Sequence, residues 1–219
     1  MKQTIVKLLP GMPSSAADVP ALLDAAGVSF QAIGTADWPA DYPYAPCAEF
    51  RLAATPDAFL LHYRVQEETV RALAGADNGP VWEDSCVEFF CSPASDGTYY
   101  NVECNCAGTL LIGCGTGRSG RQPAPQPVLD TVLRWASLGR RPFGERPADG
   151  LWQVALVLPY GAFFRHRVEA PVPGGTLRAN FYKCGDKLRT PHFLSWSPID
   201  LPKPDFHCPQ FFGELAFEQ

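Results

Sequence analysis

Ala58-Phe-Leu-Leu-His-Tyr-Arg-Val-Gln66 decides the fold. Phe59, Leu61, Tyr63 and Val65 alternate with Leu60, His62, Arg64 and Gln66, the period of a half-buried strand. Upstream, residues 47–54 alternate in the same way with Phe50 and Leu52 inward, and Thr55-Pro-Asp57 supplies the turn of a hairpin. Strands are also predicted at 85–92, 99–106, 109–114, 151–158, 176–184 and 212–218. Residues 128–135 fit strand or helix by period, and strand is the assignment made. One short helix is predicted over 14–27, with serines at its start, Pro20 in its first turns and Gly27 at its end. The segments 115–127 and 139–150, rich in Gly, Pro and Arg, read as loops.

Many short strands and little helix predict an all-β domain, two antiparallel sheets packed as a β-sandwich of the jelly-roll or immunoglobulin-like kind, with a closed barrel as the alternative. No internal repeat or linker divides the 219 residues. They are expected to form one domain, a strand/helix/loop extension over 1–44 followed by the sandwich over 45–218.

The composition agrees with a packed core: 46% of residues are hydrophobic and 19% charged. The 22 prolines are about twice the ~5% average, so many connections should be irregular. A net charge of −5 without a run of Lys and Arg argues against nucleic acid as a partner. No stretch reaches the ~18 apolar residues of a membrane span. Lys7 and Pro10 interrupt the N-terminal segment before signal-peptide length, which makes the cytoplasm the default expectation. The eight cysteines include no CxxC pair, and Cys104 and Cys106 share one face of a strand. Buried reduced thiols are therefore expected, with a disulfide or a metal site as alternatives.

In Tyr99-Tyr-Asn-Val-Glu-Cys-Asn-Cys-Ala-Gly108, Val102, Cys104 and Cys106 fall on one face and Asn101, Glu103 and Asn105 on the other. A row of amides and a carboxylate suits hydrogen bonding to sugar hydroxyls, and equally to nearby backbone. In Val81-Trp-Glu-Asp-Ser-Cys-Val-Glu-Phe-Phe-Cys91, Val87, Phe89 and Cys91 face the core, leaving Glu88 beside Cys86 on the opposite side. A carboxylate there needs a partner or a ligand. Trp82 and Trp196 sit in loop-like contexts, where an indole is either a core plug or a platform for the apolar face of a pyranose.

Trp82-Glu-Asp-Ser-Cys-Val-Glu88, Tyr100-Asn-Val-Glu-Cys-Asn and Gly108-Thr resemble the family 9 carbohydrate-binding modules, most of all their stand-alone bacterial branch. Arg178-Ala-Asn-Phe-Tyr-Lys-Cys-Gly-Asp186, Pro191-His-Phe-Leu-Ser-Trp-Ser-Pro-Ile199 and Pro204-Asp-Phe-His-Cys-Pro-Gln-Phe-Phe-Gly213 extend the resemblance over most of 45–218. It implies a sandwich that binds small saccharides or polysaccharide chain ends between two aromatic rings. Such modules accompany glycoside hydrolases in carbohydrate catabolism, and some hold structural calcium. Trp82 and Trp196 match the clamp and Glu88 a polar contact, with Asn101, Glu103, Asn105 and Asn180 as further candidate contacts. Phe193 and Leu194 stand where the family carries an amide before the second tryptophan. Asp84, Asp96 and Asp186 are the candidate calcium oxygens.

Two other functions fit the same residues. Glu88 and Glu103 could act as the acid and nucleophile of a glycosidase, or the sandwich could be an interaction domain that has lost its sugar. His192, His207 and Cys208 offer a metal-site alternative.

Overall fold

The computed structural model describes residues 2–219, leaving Met1 outside. In chain order its elements are β1 (Gln3–Leu8), α1 (Val19–Ala25), β2 (Gln31–Ala32), β3 (Thr35–Ala36), β4 (Cys47–Ala54), β5 (Ala58–Gln66), β6 (Thr69–Ala72), β7 (Cys86–Ser92), β8 (Tyr99–Asn105), β9 (Leu110–Gly115), β10 (Gln122–Pro123), α2 (Gln126–Leu129), β11 (Leu133–Ala136), β12 (Phe143–Pro147), β13 (Leu151–Pro159), β14 (Thr176–Cys184), β15 (Phe193–Ser195) and β16 (Gly213–Phe217). The chain is mostly β, as its periodicity predicts. Residues 128–135 divide between the end of α2 and β11, and the 139–150 segment carries β12, paired with β6 in a small ribbon.

The main sheet runs β10-β9-β8-β7-β14-β16-β1-β4-β5-β13-β11 without a break. It is curled, a half-barrel rather than two separate antiparallel sheets, because β1 pairs in parallel with β16 on one edge and with β4 on the other. β1 thus joins the two arms of the sheet. The two arms face each other across one core, where Phe181 of β14 stacks on Phe50 of β4 at 3.5 Å and on Phe89 of β7 at 5.1 Å.

On β5 the alternating residues Phe59, Leu61, Tyr63 and Val65 all enter this core. The opposite side is buried too at Leu60 and His62, a correction to the half-buried expectation, while Arg64 is partly exposed and Gln66 exposed. Val19 and Leu23 of α1 cover Leu60, and Ala53, Ala58 and Ala155 are small enough to let the helix approach. His62 lies beneath, its Nδ1 accepting from Arg51 Nε at 3.0 Å and its Nε2 donating to Gln153 Oε1 at 2.9 Å. All eight cysteines carry free thiols, and only Cys47 is exposed.

Candidate functional site

Strand alternation sorts the outer arm as its sequence predicts. Val87, Phe89 and Cys91 of β7, with Val102 and Cys104 of β8, point into the core. Cys86, Glu88 and Phe90 of β7 face the other way, and register sets Glu88 beside Glu103 and Phe90 beside Asn101. This outer face is the floor of a cleft of about 450 Å³. Loops form its walls, bringing in Trp82, Arg118, Asp186, Phe193, Phe206 and His207.

Trp82 rides on a 3-10 turn, Val81–Glu83. Val81 is fully buried against Cys86 and Cys184 and pins the turn, while Trp82 remains 38% exposed. The turn is fastened at Asp84, whose carboxylate accepts from Leu73 N, Ala74 N and Asn105 Nδ2 and lies 3.2 Å from Arg71 Nε. Asp186 N and Lys187 N donate to the carbonyls of Trp82 and Glu83, tying the turn to the loop after β14. Phe206 contributes a second aromatic face, stacked on Tyr182 at 4.1 Å. Phe193 packs edge-on to Tyr42 at 4.7 Å.

At the floor, a hydrogen-bond relay runs inward from Arg121. Its Nε donates to Asn101 Oδ1 at 2.8 Å, and Asn101 Nδ2 donates to Glu103 Oε1 at 2.8 Å. Gly113 makes room for it, since a Cβ there would stand 2.6 Å from Asn101 Oδ1. Glu103 Oε2 is buried without a partner. Glu88 Oε1 accepts from the Cys184 thiol at 3.1 Å.

Burial pushes the Glu103 carboxyl up to about 7, against the pull of Asn101 and Arg121. It drives Glu88 well above the usual carboxylate range, and the Glu103 charge beside it adds to the rise. Asp186 is pushed up to about 6, chiefly by burial. Both carboxyls are therefore easier to protonate than an exposed carboxylate.

Three of the residues proposed from sequence do not reach the cleft. Trp196 is a core plug: fully buried, it packs edge-on to Phe50 at 5.9 Å and Phe181 at 5.8 Å. Trp196 directly follows β15, its N–H donating to Phe181 O, and its ring lies in the core, out of reach of a ligand. Asn105 and Asn180 are buried amides spent on backbone. Asn105 Oδ1 accepts from Ala107 N and Thr109 N, and Asn180 Oδ1 from Phe181 N and Ser197 N. Phe193 and Phe206 lie within the segments that carry the family resemblance, but nothing in those segments marks their rings as part of a cleft.

The candidate calcium aspartates do not form a cage. Asp84 is saturated by amides and an arginine, Asp96 binds Thr98 and His166 on the surface, and Asp186 lies apart in the cleft. His192, His207 and Cys208 also separate, His192 Nε2 accepting from Lys183, His207 Nδ1 meeting the Tyr99 hydroxyl and Cys208 donating to Asp205 O.

The profile of carbohydrate-binding family 9 matches residues 17–217. A Bacteroides uniformis protein proposed to bind carbohydrate is 53% identical over 99% of both chains, with a TM-score of 0.94. A family 9 module from Caldicellulosiruptor kristjanssonii, solved with glucose, shares 15% identity at a TM-score of 0.63 over 99% of this chain and 96% of its own. Another structure of a family 9 module from that organism, with cellotriose, shares 14% at 0.59 over 99% and 94%. At these lower identities the likeness carries the fold. No curated protein matches the chain.

Proposed function

The chain belongs to carbohydrate-binding family 9, and on that premise we propose that it binds a small saccharide or a polysaccharide chain end, without transforming it, in the cleft over β7 and β8. The observation that carries this reading is the buried, unpartnered Glu103 Oε2 below the half-exposed Trp82. An orphaned carboxylate oxygen costs free energy unless a donor meets it, and a sugar hydroxyl is such a donor. Asn101 and Glu88 supply the neighbouring polar contacts, and Trp82 and Phe206 the aromatic faces for the apolar side of a pyranose. Arg121 holds Asn101 in place, so the floor is preorganised.

Titration calorimetry with glucose and cellotriose tests the proposal. Micromolar-to-millimolar binding is expected, with Glu103→Gln weakening it. Absence of binding across a wide panel of mono- and oligosaccharides counts against it.

A glycosidase reading has one observation in its favour, two carboxyls paired across neighbouring strands in a cleft, both pushed up by burial. Glycosidase carboxyls flank the scissile bond, whereas Glu88 and Glu103 stand side by side on one floor. Incubation with nitrophenyl glycosides separates the readings: the binding account expects no release of nitrophenol.

A further inference from the structure

We propose that Cys86, Glu88 and Cys184 form a binding site for a thiophilic divalent cation of the zinc class at the base of the cleft. Among the described residues they are a group whose donor atoms, Sγ, Oε and Sγ, all lie within 4.8 Å of one another. The sheet builds the group. Cys86 and Cys184 are direct partners across β7 and β14, and Glu88, two residues along β7, shares their face. All three are buried, and their strands lie inside the sheet rather than at its edge.

A tetrahedral zinc with bonds of ~2.3 Å to sulfur and ~2.0 Å to oxygen sets its ligand atoms ~3.5–3.8 Å apart. The Cys184 Sγ to Glu88 Oε1 distance is already 3.1 Å, so side-chain rotations of about an ångström complete the geometry. Two thiolates select zinc, or cobalt in its place, over calcium and magnesium. Val81 packs against both cysteines and closes the back of the site, while Glu88 and Cys184 open onto the cleft, which provides an entry path and a free coordination position. Asp186 lies on the cleft wall two residues after Cys184.

Three carboxyls, those of Glu88, Glu103 and Asp186, line the cleft together with the guanidinium groups of Arg118 and Arg121, and Glu103 Oε2 has no partner. The nearest lysine, Lys183, lies on the opposite face of β14, paired with Glu67 at 2.9 Å. On binding, the two thiols release their protons, as does the Glu88 carboxyl where it is protonated, and the cation takes the place of these protons.

The site shares Glu88 with the saccharide reading, but its test contains no saccharide and so stands apart from that reading. Chelator-treated, reduced protein carrying Cys47→Ser, which removes the exposed thiol, is titrated with cobalt(II) and then zinc(II). One cobalt per chain is expected, with a thiolate-to-cobalt charge-transfer band in the near ultraviolet and ligand-field bands of a tetrahedral centre, all lost on adding one equivalent of zinc. Cys86→Ser and Cys184→Ser should each lose the tetrahedral spectrum, and zinc should raise the melting temperature of the Cys47→Ser protein but not of either variant. If a cysteine variant fails to fold, the titration of the Cys47→Ser protein decides alone. Absence of the charge-transfer band, its persistence in both cysteine variants, or isolation of a Cys86–Cys184 disulfide in place of the metal-binding thiols would each overturn the proposal.

Discussion

Replacing each of the two tryptophans by alanine should produce opposite phenotypes. Trp196 is 0% exposed, with edge-on contacts to Phe50 and Phe181 and its ring over the bare Cα of Gly213, where a Cβ would stand 2.5 Å from Cζ3. Its Nε1 has no hydrogen-bond partner, so truncation forfeits packing alone. A buried Trp→Ala change costs ~3–5 kcal/mol. In a chain of this size each kcal/mol lowers the melting temperature by ~2–4 °C, so Trp196→Ala should melt ~6–20 °C below the wild type. Trp82 is 38% exposed and its turn is held by Val81 and Asp84, not by the indole. Trp82→Ala should shift the melt by only a few degrees. It should weaken saccharide binding by ~2 kcal/mol, about thirtyfold, as truncation of an aromatic anchor commonly does. Thermal melts followed by circular dichroism, run beside titration calorimetry, read both axes. A Trp196→Ala protein with a wild-type melt and abolished binding would refute the reasoning.

Two further outcomes follow from the buried polar groups. Lys183 Nζ, fully buried, pairs with Glu67, which also accepts from Trp152 Nε1; Lys183→Met leaves that carboxylate unpaired and should cost ~3–5 kcal/mol, read by urea unfolding. His62, 2% exposed, is held down to about 4 by burial, with Arg51 donating to its Nδ1. Because its folded pKa lies below the ordinary 6.5, its contribution is complete above pH 6.5 and is lost as pH falls from 6.5 to about 4, by on the order of 3 kcal/mol. Glu103, raised to about 7, acts with the opposite sign, so the measurement is the difference in pH-dependent melting between wild type and His62→Gln. A flat difference across that window would remove His62 from the account.

What the sequence reveals here is set by the range of the interactions. The core face of β5 and the split of β7 and β8 into Val87, Phe89, Val102 and Cys104 on one side and Glu88, Asn101 and Glu103 on the other follow from alternation within one strand. Trp196 does not, because its burial depends on β15 pairing with β14, with Trp196 N donating to Phe181 O. The amides of Asn105 and Asn180 read identically whether they meet a sugar or a backbone, and only the folded turns decide. β1 carries Gln3, Thr4 and Lys7 like a surface strand, and its central place comes from parallel partners distant in sequence, at Glu214–Phe217 and Ala53–Ala54. The meeting of Cys86 with Cys184 is likewise a product of register between distant strands.

The most direct test of the central claim is a crystal structure of the protein soaked with glucose or cellotriose. The account predicts a pyranose over the β7–β8 floor, one hydroxyl within hydrogen-bond distance of Glu103 Oε2 and its apolar face against Trp82, with Trp196 unmoved in the core. A saccharide bound elsewhere on the surface, with the cleft holding only water, would contradict it.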